Sequence, residues 1–162
     1  MSVRDYVTVR VGGHLFGIEA LSIQDVFYPR NITPVPLAAH EILGVLNLRG
    51  RIVTAIDMRR RLGMTPREPG EAFMCVIVER MGELYALLVD DVSDVLWLSP
   101  GSFEPTPVTL SAHWRSLCDG LYRLDGELLL ALNTWRNTIR YGCTVIILLH
   151  IHCQYIGGNR IH

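Results

Sequence analysis

Gly44-Val45-Leu46-Asn47-Leu48-Arg49-Gly50-Arg51-Ile52-Val53-Thr54-Ala55-Ile56-Asp57 decides how this chain folds. Two apolar, β-rich runs flank a turn at Arg49-Gly50. Asp57 then stands where a helix N-cap belongs, ahead of Met58-Arg59-Arg60-Arg61-Leu62, and Gly63 supplies the stop signal. Strand, tight turn, strand and a single helical turn make up a β unit.

The same grammar continues on both sides. Upstream, Val7, Val9 and Val11 alternate with Thr8 and Arg10, the period of a half-buried strand. Gly12-Gly13 offers the positive φ of a hairpin turn, and His14 to Ile18 runs back. Leu21, Ile23, Asp25 and Phe27 suggest a third extended segment, with helix as the open alternative. Pro29, Pro34 and Pro36 break regular structure, and a short helical turn is expected over Ala38 to Leu43. Downstream, Phe73 to Val78, Leu84 to Val89 and Val92 to Leu98 are short β-rich runs separated by Met81-Gly82 and Asp90-Asp91. A short helix is expected over Leu110 to Leu117. A closing hairpin follows, Leu121 to Leu124 and Leu128 to Leu132 around Asp125-Gly126. Many short strands at near-regular spacing argue for barrels or a sandwich. The Pro- and Gly-bearing stretch Thr65 to Gly70 reads as a connector between halves, favouring two small linked barrels.

Composition bounds the function. With 162 residues, 49% hydrophobic and 19% charged, the chain supports a real core. A formal net charge of −1 with no basic stripe argues against a nucleic-acid partner. Met1 to Arg10 enters a strand pattern at once rather than a signal-peptide pattern. Apolar runs such as Val145 to Leu149 are far short of the roughly 20 residues of a membrane-spanning helix. Cys75, Cys118, Cys143 and Cys153 share no metal or redox spacing, so reduced thiols are expected.

Three ordered segments carry a resemblance to the chemotaxis coupling protein family, CheW. Gly44-Val45-Leu46-Asn47-Leu48-Arg49-Gly50, followed by Ile56-Asp57-Met58-Arg59, is similar to its G-x-x-N-L-R-G…D-hydrophobic-R signature. Leu88-Val89-Asp90-Asp91-Val92-Ser93-Asp94-Val95-Leu96 resembles its V-D-x-V-x-x-V-L segment. The opening strand pair through Gly17-Ile18, leading to Ile23-Gln24-Asp25-Val26, is the third. The match runs from about Tyr6 to about Asn133. Thr54 stands where the family often has proline, and Asp91 where glycine is common after Asp90.

The resemblance implies an all-β fold of two SH3-like five-stranded barrels around a shared core, with one or two short helices. It also implies an adaptor in the cytoplasm, recruited to membrane-receptor arrays. One surface would bind the regulatory domain of the histidine kinase CheA, another the cytoplasmic hairpin tip of a chemoreceptor. Carried over by position, Ile23, Asp25, Arg49, Met74 and Val92 line the receptor-facing groove. Gly44 and Gly50 shape the strands and turn presenting it, and Asn47 belongs to the same signature. Alternatives are the same module in pilus-driven motility or surface sensing, a coupling domain detached from a larger kinase or a receiver-bearing fusion, and, in another class, a small-ligand-binding β-barrel or an enzyme.

Each site residue has a plainer role. Arg49 suits a solvated turn, although its five fixed donors also suit a carboxylate or carbonyl partner. Ile23, Met74 and Val92 suit an ordinary core, and Asp25 an outward strand face. Asp57 is a cap before it is a ligand. Asp90, Asp91 and Asp94 lack calcium-loop spacing, and the arginines of 59–61 read as a solvated helix face. No nucleophile elbow, phosphate loop or helical zinc pair is present, and neither catalytic residues nor a cofactor is expected. His150, His152 and Cys153 fall short of a closed metal site.

The composition changes after Asn133. All 16 acidic residues precede Thr134, whereas the last 29 residues carry three arginines and no acid. Residues 1–133 are therefore read as the domain and 134–162 as an atypical tail, either a shifted reading frame or altered terminus, or a true edge strand over Thr144 to Ile151.

Overall fold

Strands buried on both faces organise the molecule. The computed structural model describes residues 4–29 and 31–138, so the expectations on Thr144 to Ile151 and on His150, His152 and Cys153 lie outside the described residues. The strands are β1 (Arg4–Val11), β2 (His14–Glu19), β3 (Ile23–Phe27), β4 (Ile42–Leu48), β5 (Arg51–Asp57), β6 (Met74–Arg80), β7 (Glu83–Val89), β8 (Asp91–Leu98), β9 (Phe103–Glu104), β10 (Cys118–Leu124) and β11 (Glu127–Leu132). Among the described residues three short α-helices accompany them: α1 (Met58–Arg61), α2 (Ala112–Leu117) and α3 (Thr134–Thr138).

A six-stranded sheet has the order β8-β1-β2-β11-β10-β9, and a five-stranded sheet the order β3-β6-β7-β5-β4. The fold is all-β, with one SH3-like subdomain built on each sheet. Each subdomain has its own core. Tyr6, Leu15, Tyr122, Leu129 and Ala131 fill the first, and Leu46, Val53, Ala55, Cys75, Ile77, Leu84, Ala86 and Leu88 the second. A larger shared core lies between them and includes Val9, Val11, Phe16, Ile18, Val76, Val78, Leu87 and Val89. Alternation explains the division: in β7, Leu84, Ala86 and Leu88 enter the inner core while Tyr85, Leu87 and Val89 enter the shared one. That double burial is why β6 and β7 read as nearly continuous apolar runs.

The sequence reading needs correction in three places. The 65–70 stretch joins β5 to β6 inside one sheet, so it does not divide the subdomains. The chain crosses between sheets at Ala20–Ser22 and again at Asp90, leaving β3 to β7 nested within the other subdomain. Ala38 to Leu43 is not a helical turn; it consists of turns that lead into β4 at Ile42. The arginines of α1 are not a solvated face, because this single turn lies at the subdomain junction with Arg61 buried and Arg59 mostly covered.

The cap at Asp57 is present: its side chain accepts from the Arg59 N–H at 3.0 Å. The other end of α1 is closed by α2. Trp114 Nε1 donates to the Leu62 carbonyl at 2.8 Å, and His113 Nε2 lies 2.7 Å from the Arg61 carbonyl oxygen. Asn137 of α3 is fully buried and donates to the Leu117 carbonyl at 3.1 Å, so packed structure continues past the compositional break. Among the described residues no helix is long and apolar enough to cross a membrane.

Candidate functional site

The β4–β5 hairpin presents the signature. Leu48 pairs with Arg51, which leaves Arg49 and Gly50 as a two-residue loop with φ of +51° and +82°. Asn47 holds this corner, its Oδ1 accepting from the Gly50 N–H at 2.9 Å. Arg49 thus occupies the left-handed region, which costs a side chain roughly 1–2 kcal/mol. Its guanidinium stands at the tip of the turn, where the side chain is 85% exposed.

Gly44 serves the opposite end of β4. Thr33 forms an isolated antiparallel bridge with Val45, each N–H donating to the other's carbonyl at 2.8 Å. A Cβ on Gly44 would sit 2.2 Å from the Thr33 carbonyl oxygen, and the backbone there has φ +155°. Glycine is required for the bridge to lie against the edge of β4.

Asp25 lies on β3, at the far edge of the same sheet. One oxygen accepts from the Val26 N–H at 2.8 Å and the other reaches Arg49 Nη2 at 3.7 Å. Between them opens a concavity of about 560 Å³, lined by Asp25, Phe27, Tyr28, Leu46, Leu48 and Arg49 together with Pro29, Asn31 and Asn47. Its floor is apolar, its two charged side chains pair with each other, and Tyr28 stands 70% exposed on the rim. That chemistry suits an apolar side chain flanked by polar contacts on a protein partner. Among the described residues, Asp25 and Arg49 are the charged groups that line it, and they pair with each other rather than converge on a ligand position.

Asp25, Asn47 and Arg49 therefore come together, with Gly50 in the same turn. Ile23, Met74 and Val92 do not line this concavity. They are half-buried and pack against the shared core, where Met74 opposes Val89 and Val92 opposes Val9. Of the departures from the family pattern, Asp91 is not among the residues with positive φ, so glycine is not demanded there. It opposes Arg10 in the β1–β8 ladder. Thr54 is buried in β5 between Val45 and Tyr85. Phe27, Tyr28, Leu46 and Leu48 escaped sequence reasoning. An aromatic pair ahead of proline at a strand end, Phe27-Tyr28-Pro29, was the one available signal.

A second cluster lies where the subdomains meet. Arg67 spans Asp57 and Asp90, 2.8 Å from each, and also donates to the Leu88 carbonyl at 3.2 Å. Arg59 Nε donates to Asp90 at 2.9 Å, and the Gly12 N–H donates to the same carboxylate at 2.7 Å. Burial works to raise the Asp90 pKa. The hydrogen bonds from Arg59 and Gly12 and the charge of Arg67 outweigh it and hold the carboxyl below its usual value.

The CheW-like domain model matches residues 5–137. The chain is 32% identical over 126 residues to "Chemotaxis protein CheW" of Rhizobium meliloti (strain 1021), covering 78% of this chain and 81% of that protein. It is 33% identical over 113 residues to "Chemotaxis protein CheW" of Thermotoga maritima, covering 69% and 72%. The crystal structure of the scaffolding protein TtCheW from Thermoanaerobacter tengcongensis matches with a TM-score of 0.74 at 26% identity, covering 84% of this chain and 92% of that one.

Proposed function

Because the chain belongs to the CheW-like domain family, we propose that it is a non-catalytic adaptor joining chemoreceptors to a CheA-type histidine kinase. One face takes the kinase regulatory domain, and another takes the helical hairpin at the cytoplasmic tip of a receptor. The protein works in the cytoplasm at receptor arrays and needs no cofactor. Its physical task is to hold receptor and kinase in one geometry, so that a conformational bias in the first changes the activity of the second.

The observation that carries this reading is the concavity between Asp25 and Arg49. A strained, solvent-directed arginine and an exposed tyrosine frame an apolar floor, the composition of a protein-binding anchor site. Gly44, Asn47 and Gly50 build the hairpin that holds Arg49, while Ile23, Met74 and Val92 supply apolar contacts nearer the shared core.

A pull-down of the purified chain with a kinase regulatory domain and a receptor signalling fragment tests it. We expect both partners to be retained, and Arg49→Ala to keep the fold while weakening the three-component assembly. Unchanged assembly with Arg49→Ala removes that residue from the interface. Failure of the unaltered, folded chain to retain either of several cognate partners overturns the adaptor reading.

A further inference from the structure

The cluster at the subdomain junction draws Asp57, Arg59 and Asp90 from the signature segments, yet none of them lines the candidate binding face. Its centre, Asp90, is the residue at which the chain leaves β7 of one sheet for β8 of the other. From the six-stranded side, the Gly12 N–H donates to its carboxylate, and the Asp90 N–H donates to the Arg10 carbonyl at 2.8 Å. From the other side come Arg59 of α1 and Arg67 of the β5–β6 loop. Arg67 is itself fixed by Asp57, by the Leu88 carbonyl and by the Phe73 ring, whose centroid lies 5.3 Å from its guanidinium carbon. Arg59 is held additionally by Glu71 at 3.4 Å. The Gly12 N–H, Arg59 and Arg67 thus converge on one carboxylate that is only 18% exposed.

We propose that Asp90 is a positioning residue that locks the alignment of the two subdomains, and through it the spacing of Met74 and Val92. Met74 opposes Val89, the residue before Asp90, and Val92 lies two residues beyond it on the other sheet. The two side chains thus sit on either side of the lock, one on each sheet. Apolar packing in the shared core is not directional, so it tolerates small rotations of one sheet over the other. A carboxylate held by one nitrogen from each of two guanidinium groups and by a backbone N–H does not. The link from alignment to partner binding rests on the reading of Met74 and Val92 as receptor contacts; the lock itself does not.

The test uses the full chain with Cys143 and Cys153 changed to serine, and spin labels at Ile52→Cys and Asp125→Cys, one exposed site per subdomain. Pulsed electron spin resonance reads the distance between labels, and titration reads the affinity for a receptor hairpin fragment. In Asp90→Asn we expect a broadened distance distribution, a cooperative thermal transition, and about tenfold weaker hairpin binding. Arg67→Met is the second variant, in case Asp90→Asn does not fold. It keeps an unbranched apolar side chain, removes the guanidinium that reaches Asp90, and is expected to broaden the distribution likewise. Unchanged distances in both variants overturn the lock. Broadened distances with unchanged affinity overturn its role in binding, and weakened binding at unchanged distances makes Asp90 a contact rather than a positioning residue. If the unaltered chain binds no receptor hairpin, the adaptor reading fails while the label distances still decide the lock.

Discussion

Asp25 and Arg49 belong to opposite edges of the five-stranded sheet, and their side chains approach to 3.7 Å. The sheet curls far enough to bring β3 and the β4–β5 turn to one rim without any ladder hydrogen bond between them. Thr33, bridged to Val45, shields part of the β4 edge that the curl leaves open. The concavity is the space this incomplete closure encloses, so its shape depends on backbone curvature more than on the ion pair.

Arg49 separates stability from binding. Its side chain is mostly in solvent, so the pair with Asp25 contributes less than about 1 kcal/mol. Its φ of +51°, by contrast, is one that glycine adopts freely. We expect Arg49→Gly to raise stability by about 1 kcal/mol and still weaken partner assembly. Urea titration beside a pull-down checks both; a loss of stability would place more weight on the side chain than its exposure allows.

Gly44→Ala should act in the opposite sense. The added methyl meets backbone at 2.2 Å rather than a movable side chain. Either the Thr33–Val45 bridge parts or β4 shifts. We expect a loss of about 2–3 kcal/mol, in the range of other severe backbone clashes. Amide exchange at Val45 and Thr33 should accelerate, and a variant as stable as the parent would show that the bridge is dispensable.

Acid should weaken the subdomain junction. The Asp90 carboxyl is held below its unfolded value, so its stabilisation is complete above the ordinary carboxylate pKa, about 3.9, and disappears as pH falls through the lower folded value. Arg59 and Arg67 face it and stay charged throughout, while Asp57 and Glu71 compete for the same arginines. We expect the urea midpoint to drop steeply below about pH 4 and Asp90→Asn to flatten that limb. Parallel curves for the two proteins would assign the acid sensitivity to other carboxylates.

Cys75 and Cys118 should be inert in the folded protein. Burial pushes their thiols up, to about 11 and about 12 respectively. Reaction requires a thiolate and access, and neither is available at neutral pH. Alkylation mapped by mass spectrometry should modify these two positions only as fast as the protein unfolds. Rapid native modification of Cys118 would mean that α2 opens readily.

The hairpins were legible because local chemistry specifies them. Gly12-Gly13, Arg49-Gly50, Met81-Gly82 and Asp125-Gly126 each mark a turn, and alternation marks the flanking strands. Which hairpins share a sheet was not legible. The pairing of Val7 with Val95, and the parallel pairing of Phe16 with Leu130, join residues that no local pattern connects. Arg59 and Arg61 misled for a related reason: three consecutive arginines look solvated until distant partners arrive, the Asp90 carboxylate for Arg59 and the Arg136 carbonyl for Arg61. At the site, the family signature pointed to Asp25 and Arg49. The apolar floor of Phe27, Leu46 and Leu48 was hidden, because sequence does not distinguish a half-covered leucine from a core one.

The nesting of one sheet within the other orders events during synthesis. All the strands of the five-stranded sheet lie between Ile23 and Val89, so it can assemble while the rest of the chain is still emerging. The β1–β2 hairpin leaves the ribosome before the five-stranded sheet, yet its neighbours β8 and β11 follow that sheet. Its pairing edges stay bare through most of translation, and closing them carries the entropy cost of long loops. The β1–β2 hairpin is thus made early and secured late, and premature termination anywhere before β11 leaves an apolar edge open to other chains.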